Sequence, residues 1–144
     1  MLNTKTKLTR LLLADDHPAV AGQIARLLQG ERAAEFEIVG TVGNGRELLQ
    51  AAGRLDPDVV ILDITMPEMD GIETARRLRQ AGCGVKVVFL TVHDDADYVR
   101  AGMEADAAGY VVKARLAADL IPALHAVLAG RVFVSPAAKY VAQP

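Results

Sequence analysis

Residues 59–78 read VVILDITMPEMDGIETARRL, and this stretch contains one complete strand, turn and helix. Val59 to Leu62 form a continuous apolar run too short for a helix, of the kind found where both faces of a strand are covered. Asp70 and Glu73 then stand at the spacing of a capping pair, followed by Ile72, Ala75 and Leu78 on one helical face. Because Asp70 already caps the helix, Asp63 is left as an acid at a buried strand end with no structural task.

The same alternation repeats on either side. Apolar runs predict strands at 8–14, 36–42, 59–63, 85–90 and 108–112. Helical spacing falls between and after them. It is carried first by Val20, Ile24, Leu27 and Leu28 behind Pro18, and then by residues 46–55 and by the helix after Asp70. A fourth helix uses Ala96, Val99 and Met103, and a fifth uses Leu120, Leu124, Val127 and Leu128. Pro122 suits only an opening turn, so the fifth helix is expected to begin near Ala118 or Asp119, or else to bend, and to stop at Gly130. Strict alternation implies an α/β fold, a five-stranded parallel sheet doubly wound by right-handed crossovers. Ligands of such sheets bind beyond the carboxyl ends of the strands.

The length of 144 residues suits one domain, and 51% apolar with 24% charged residues excludes a disordered chain. A net charge of -2 gives no basic surplus for nucleic acid or an anionic membrane. Cys83 is the only cysteine, the start lacks the apolar core of a signal peptide, and no run reaches membrane-spanning length. The expectation is a cytoplasmic protein with no membrane partner.

At the predicted ligand edge stand Asp15 and Asp16, Asp63, Thr91 and Lys113, each after a different strand save the first two. Taken singly, Asp16 would be a helix cap, Thr91 a turn hydroxyl and Lys113 a solvated ammonium. Together they form a pocket whose carboxylates repel one another until a hard divalent cation enters, and oxygen ligands favour Mg²⁺ over zinc.

These residues resemble the receiver domains of two-component response regulators. The resemblance rests on Asp15-Asp16, the stretch Asp63-Ile64-Thr65-Met66-Pro67-Glu68-Met69-Asp70-Gly71, Thr91, and Tyr110-Val111-Val112-Lys113. Residues 129–136, AGRVFVSP, are similar to the end of receivers of the NarL/FixJ group, which usually lead into a helix-turn-helix domain. The resemblance implies a flavodoxin-like sheet in the order 2-1-3-4-5, with a flexible segment at 1–7, a receiver at 8–130, and a tail at 131–144 that begins a linker to an output domain absent from this chain.

It also implies roles. Asp63 would take a phosphoryl group from a sensor histidine kinase; Asp16, Asp63 and the Thr65 carbonyl would bind Mg²⁺, or Mn²⁺ in its place, and Asp15 would hold the ion through water. Lys113 would pair with the phosphoryl group, Thr91 would turn toward it, and Tyr110 would swing from exposed to inward, with homodimerisation as one outcome of phosphorylation. The protein would lose its phosphoryl group slowly without acting as a multiple-turnover enzyme. DNA would be reached only through the output domain.

Some positions differ from the common pattern. Ala114 follows Lys113 where many receivers have proline, so a trans or a strained bond is expected there. Val92 should narrow access to Asp63, whereas His93 reads as a solvated loop imidazole at the pocket mouth. Three other readings share the architecture. A phosphohydrolase would want a second acid at Thr65, and a flavin module would be repelled by Asp15-Asp16-His17-Pro18. A receiver that no longer switches would serve only for docking.

Overall fold

The computed structural model describes residues 7–138, so most of the expected flexible segment at 1–7 and the last six residues of the tail lie outside the described residues. Strands and helices alternate as β1 (Thr9–Ala14), α1 (Pro18–Leu27), β2 (Phe36–Val42), α2 (Gly45–Leu55), β3 (Val59–Leu62), α3 (Gly71–Gln80), β4 (Lys86–Thr91), α4 (Ala96–Glu104), β5 (Gly109–Val112), α5 (Leu116–Leu128) and β6 (Phe133–Val134). All strand pairings are parallel, in the order β2-β1-β3-β4-β5-β6. The expected order 2-1-3-4-5 is present, but the sheet has six strands, not five. The sixth lies within the segment expected to be linker.

Gly130, at φ 81°, turns the chain back after α5. Phe133 N–H then donates to Ala108 C=O (3.1 Å) and Ser135 N–H to Tyr110 C=O (2.8 Å). The Ser135 hydroxyl takes over where the strand ends: it accepts from Val112 N–H (3.1 Å) and donates to Asp119 Oδ2 (2.8 Å), with both side chains buried.

The two faces of the sheet carry separate cores. Leu12, Val60, Leu62 and Phe89 pack with α2, α3 and α4 on one side. Leu11, Leu13, Ile61, Val88 and Val111 pack with α1 and α5 on the other. The alternation along each strand explains why the runs are apolar throughout. In the β1–β2 pair the register slips between Leu11 and Leu12, whose partners are Ile38 and Gly40, so Val39 is an extra residue on β2.

Helix starts follow the sequence with two differences, at α3 and α5. Asn44 caps α2 by accepting Glu47 N–H at 2.9 Å. Asp70 accepts Glu73 N–H at 2.8 Å as expected, but the Glu73 carboxylate does not return the bond; it takes Arg77 Nε at 3.2 Å. Finally, α5 begins at Leu116, so Pro122 lies inside the helix rather than in its opening turn. The carbonyl that loses its N–H partner belongs to Ala118, which is exposed, as is Pro122, so water can satisfy it. Among the described residues no helix is long and apolar enough to cross a membrane.

Candidate functional site

Neighbouring strands bring the acids together. Ala14 and Leu62 are register partners at the ends of β1 and β3, so Asp15 and Asp63 emerge side by side. Their backbones stay tied to the sheet, Asp63 N–H to Ala14 C=O (2.9 Å) and Asp15 N–H to Val42 C=O (3.0 Å). The start of α3 presses against the same corner. Gly71 N–H donates to Ile64 C=O at 2.7 Å, and a Cβ built at Gly71 would lie 2.1 Å from the Asp63 carbonyl oxygen. Only glycine fits there.

Lys113 follows β5 and reaches back across β4. Its Nζ donates to Asp63 Oδ2 at 3.1 Å and stands 2.8 Å from Asp15 Oδ2. Asp63 is 2% exposed. Burial pushes its carboxyl above the ordinary aspartate range, while the hydrogen bond and charge of Lys113 pull it part of the way back. For Lys113 burial works against the ammonium, but the bonds and charges of Asp15 and Asp63 outweigh it and hold the group above the usual lysine value. The Lys113–Ala114 bond is trans, since no peptide bond among the described residues is cis.

The described residues fit a divalent cation. One ligand atom from each of Asp15, Asp16, His17 and Asp63 lies within 4.8 Å of the others. Asp15 Oδ2 is buried against the Lys113 ammonium, 2.8 Å away, so the acids already gather around a positive charge. Hard carboxylate oxygens clustered this tightly suit an oxygen-seeking ion. The expectation that positions 16 and 63 face one space therefore agrees with the geometry. His17 was not foreseen as part of it. Its Nδ1 sits 2.9 Å from Asp15 Oδ1, 3.2 Å from Asp16 Oδ1 and 3.8 Å from Asp63 Oδ2. The sequence did offer a clue, a coordinating side chain directly after two acids and directly before the Pro18 that opens α1.

Thr91, Tyr110, Val92 and His93 lie along the other wall. Thr91 is fully buried, with its hydroxyl accepting His93 N–H at 3.4 Å. Tyr110 differs from the exposed starting position that the resemblance implies. It is fully buried already, and its hydroxyl donates to the His93 carbonyl at 2.7 Å. Gly102 on α4 opens the slot, for a Cβ there would come 3.1 Å from Phe89 and 3.3 Å from the Tyr110 ring. Burial, followed by the charges of Asp95 and Asp94, raises the Tyr110 pKa well above the ordinary phenol value, so the hydroxyl stays a donor.

His93 is also more than a solvated loop residue. Its ring stacks on Tyr98 with centroids 3.8 Å apart and planes at 9°, and Nε2 meets Thr65 Oγ1 at 2.6 Å. Thr65 N–H in turn donates to Asp63 Oδ1 at 3.3 Å. Val92 is 64% exposed, so the contact bridging the mouth is made by His93 and Thr65 instead.

Residues 11–125 match the response regulator receiver domain family. Among curated proteins the chain is similar to the response regulator GacA of Pseudomonas viridiflava, at 35% identity over 88% of this chain and 58% of that protein. It is similarly related to the nitrate/nitrite response regulator protein NarL of Escherichia coli K12, at 34% identity over 88% of this chain and 58% of that protein. The chain thus spans less than two thirds of the length of these relatives. A solved two-component response regulator of the LuxR family from Aurantimonas sp. SI85-9A1 superposes with a TM-score of 0.83 at 34% identity, over 90% of this chain and 91% of that one. The isolated REC domain of RcsB from Salmonella enterica serovar Typhimurium, solved with the phosphomimetic BeF3-, gives 0.81 at 27% identity over 91% of this chain and 96% of that one.

Proposed function

Because the chain belongs to the response regulator receiver domain family, we propose that it is a phosphorylation switch whose acceptor is Asp63. Asp63 is the nucleophile, attacking a phosphoryl group delivered by the phosphohistidine of a sensor kinase. The observation that carries this assignment is the position of Asp63: buried, 3.1 Å from the Lys113 ammonium, and within reach of a cluster that can hold a cation. Phosphoryl transfer asks mainly for positioning and for neutral surroundings around the equatorial oxygens. Asp16 and Asp63, with the Thr65 carbonyl, would hold Mg²⁺ or Mn²⁺, and Asp15 would steady it through water. The ion would shield the incoming charge, and Lys113 would pair with a phosphoryl oxygen.

Thr91 supplies the response. Its hydroxyl now accepts a long bond from His93 N–H, which is easily given up for a charged phosphoryl oxygen. With Tyr110 already inward, the movement passes to the loop carrying His93 rather than to a large swing of the tyrosine ring. A decisive population shift takes roughly 5 kcal/mol of differential binding, within reach of two or three charge-assisted bonds.

The chain would work in the cytoplasm as the regulatory part of a NarL-type transcriptional regulator. RcsB dimers have been solved on DNA; contact of this protein with DNA would come through a region outside this chain, with homodimerisation as its means of activation.

Incubating the protein with Mg²⁺ and acetyl phosphate, and weighing the product by intact mass spectrometry, tests the assignment. One acid-stable, base-labile phosphoryl group per chain is expected, and none for Asp63→Asn. Continuous release of phosphate over many turnovers, or label retained by Asp63→Asn, would overturn it.

A further inference from the structure

Resting on the phosphoryl-acceptor reading of the acidic pocket, we propose that His17 is itself a ligand of the bound cation and tilts the pocket toward a first-row transition ion such as Mn²⁺ over Mg²⁺. Three distances carry the idea. An octahedral ion about 2.1 to 2.2 Å from its ligands keeps neighbouring ligand atoms about 3 Å apart and opposite ones about 4.3 Å apart. His17 Nδ1 stands 3.2 Å from Asp16 Oδ1, the spacing of neighbouring vertices, and 2.9 Å from Asp15 Oδ1, the acid that would reach the ion through water. Its 3.8 Å separation from Asp63 Oδ2 falls between the neighbouring and opposite values.

The ring is also fixed from behind. His17 occupies the N-cap position of α1 in extended backbone, with Pro18 locking the first helical residue. His17 N–H donates to Asp15 Oδ1 at 2.8 Å, which holds the residue over the acids rather than away from them. The side chain is 60% exposed, so its other nitrogen can be satisfied by water while Nδ1 faces inward. Lys113 Nζ, 2.8 Å from Asp15 Oδ2, 3.1 Å from Asp63 Oδ2 and 3.4 Å from His17 Nδ1, supplies the positive charge that these groups now share.

The chemistry follows from ligand type. Mg²⁺ favours oxygen and keeps its waters, whereas affinity for a mixed nitrogen and oxygen site rises along the first transition row from Mn²⁺ onward. An imidazole among three carboxylates therefore adds affinity for one class of ion and little for the other. A plainer role is a hydrogen bond from Nδ1–H to Asp15 that only orients the loop, and it makes a different forecast.

The experiment uses the metal-stripped full chain. Calorimetric titration with MnCl₂ and with MgCl₂ is compared for the wild type, His17→Ala and Asp16→Asn, and pulsed electron paramagnetic resonance of the Mn²⁺ complex reports nitrogen ligation directly. The expected result is ¹⁴N modulation in the wild type that disappears in His17→Ala, with Mn²⁺ affinity falling at least about tenfold and Mg²⁺ affinity nearly unchanged. Absence of ¹⁴N modulation in the wild type, or an unchanged ratio of Mn²⁺ to Mg²⁺ affinity in His17→Ala, would overturn the assignment of His17 while leaving the pocket intact. Failure of the wild type to bind either ion, or unaltered binding by Asp16→Asn, would overturn the underlying phosphoryl-acceptor site as well.

Discussion

Asp63 shows what a functional position costs the fold. Its carboxylate is pushed toward the protonated form by burial, and Lys113 only partly compensates. Asparagine keeps the shape without the charge, so Asp63→Asn should raise stability in the absence of divalent ions by about 1 kcal/mol, read as a higher melting temperature. Adding Mg²⁺ should stabilise the wild type and leave the variant where it was. A second forecast concerns the mouth. Val92 stands in solvent, whereas His93 bridges to Thr65 next to the acceptor. Val92→Ala should change the rate of phosphorylation by acetyl phosphate less than roughly twofold, and His93→Ala should raise it several-fold, as expected when a group guarding access is removed. Equal effects of the two substitutions would locate the barrier elsewhere. The acids, Thr91 and Lys113 were legible in the sequence because strand ends can be read from apolar runs, and strand ends decide where a site lies. His17 and the inward pose of Tyr110 were not. Each depends on where a side chain points from a loop or a crowded slot, which periodicity does not encode.

At the level of elements, the five principal strands and all five helices were readable, because each carries a period or a continuous run long enough to count. The exceptions have local causes. Pro122 was expected near a helix start, yet α5 runs through it because the carbonyl left without a donor faces water. β6 escaped notice because two residues make no pattern, and because Pro136 and the alanines after it read as linker. What holds β6 is a side chain rather than a period. The Ser135 hydroxyl joins Val112 N–H to the buried Asp119 carboxylate, one residue from Lys113. Ser135→Ala leaves a buried carboxylate oxygen without its donor and an amide without its acceptor. The loss should be about 1 to 3 kcal/mol, read in urea as a lower midpoint with an unchanged slope.

For the whole molecule, the sixth strand moves the structural boundary beyond the position expected from composition. A chain shortened to end at residue 130 would strip partners from Ala108, Tyr110, Val112 and Asp119 together. It should lose about 2 to 4 kcal/mol relative to one ending at residue 138, and the two should be separable by chemical denaturation. The opposite rim of the sheet is built differently. There β2 forms the edge, and Val39 breaks its pairing into two runs of three residues, Phe36 to Ile38 and Gly40 to Val42. A kinked rim of that kind offers no flat row of amides on which an incoming strand could template itself. The longest free border of the molecule is thereby protected against fibrous aggregation, even when a regulator of this kind accumulates in the cell.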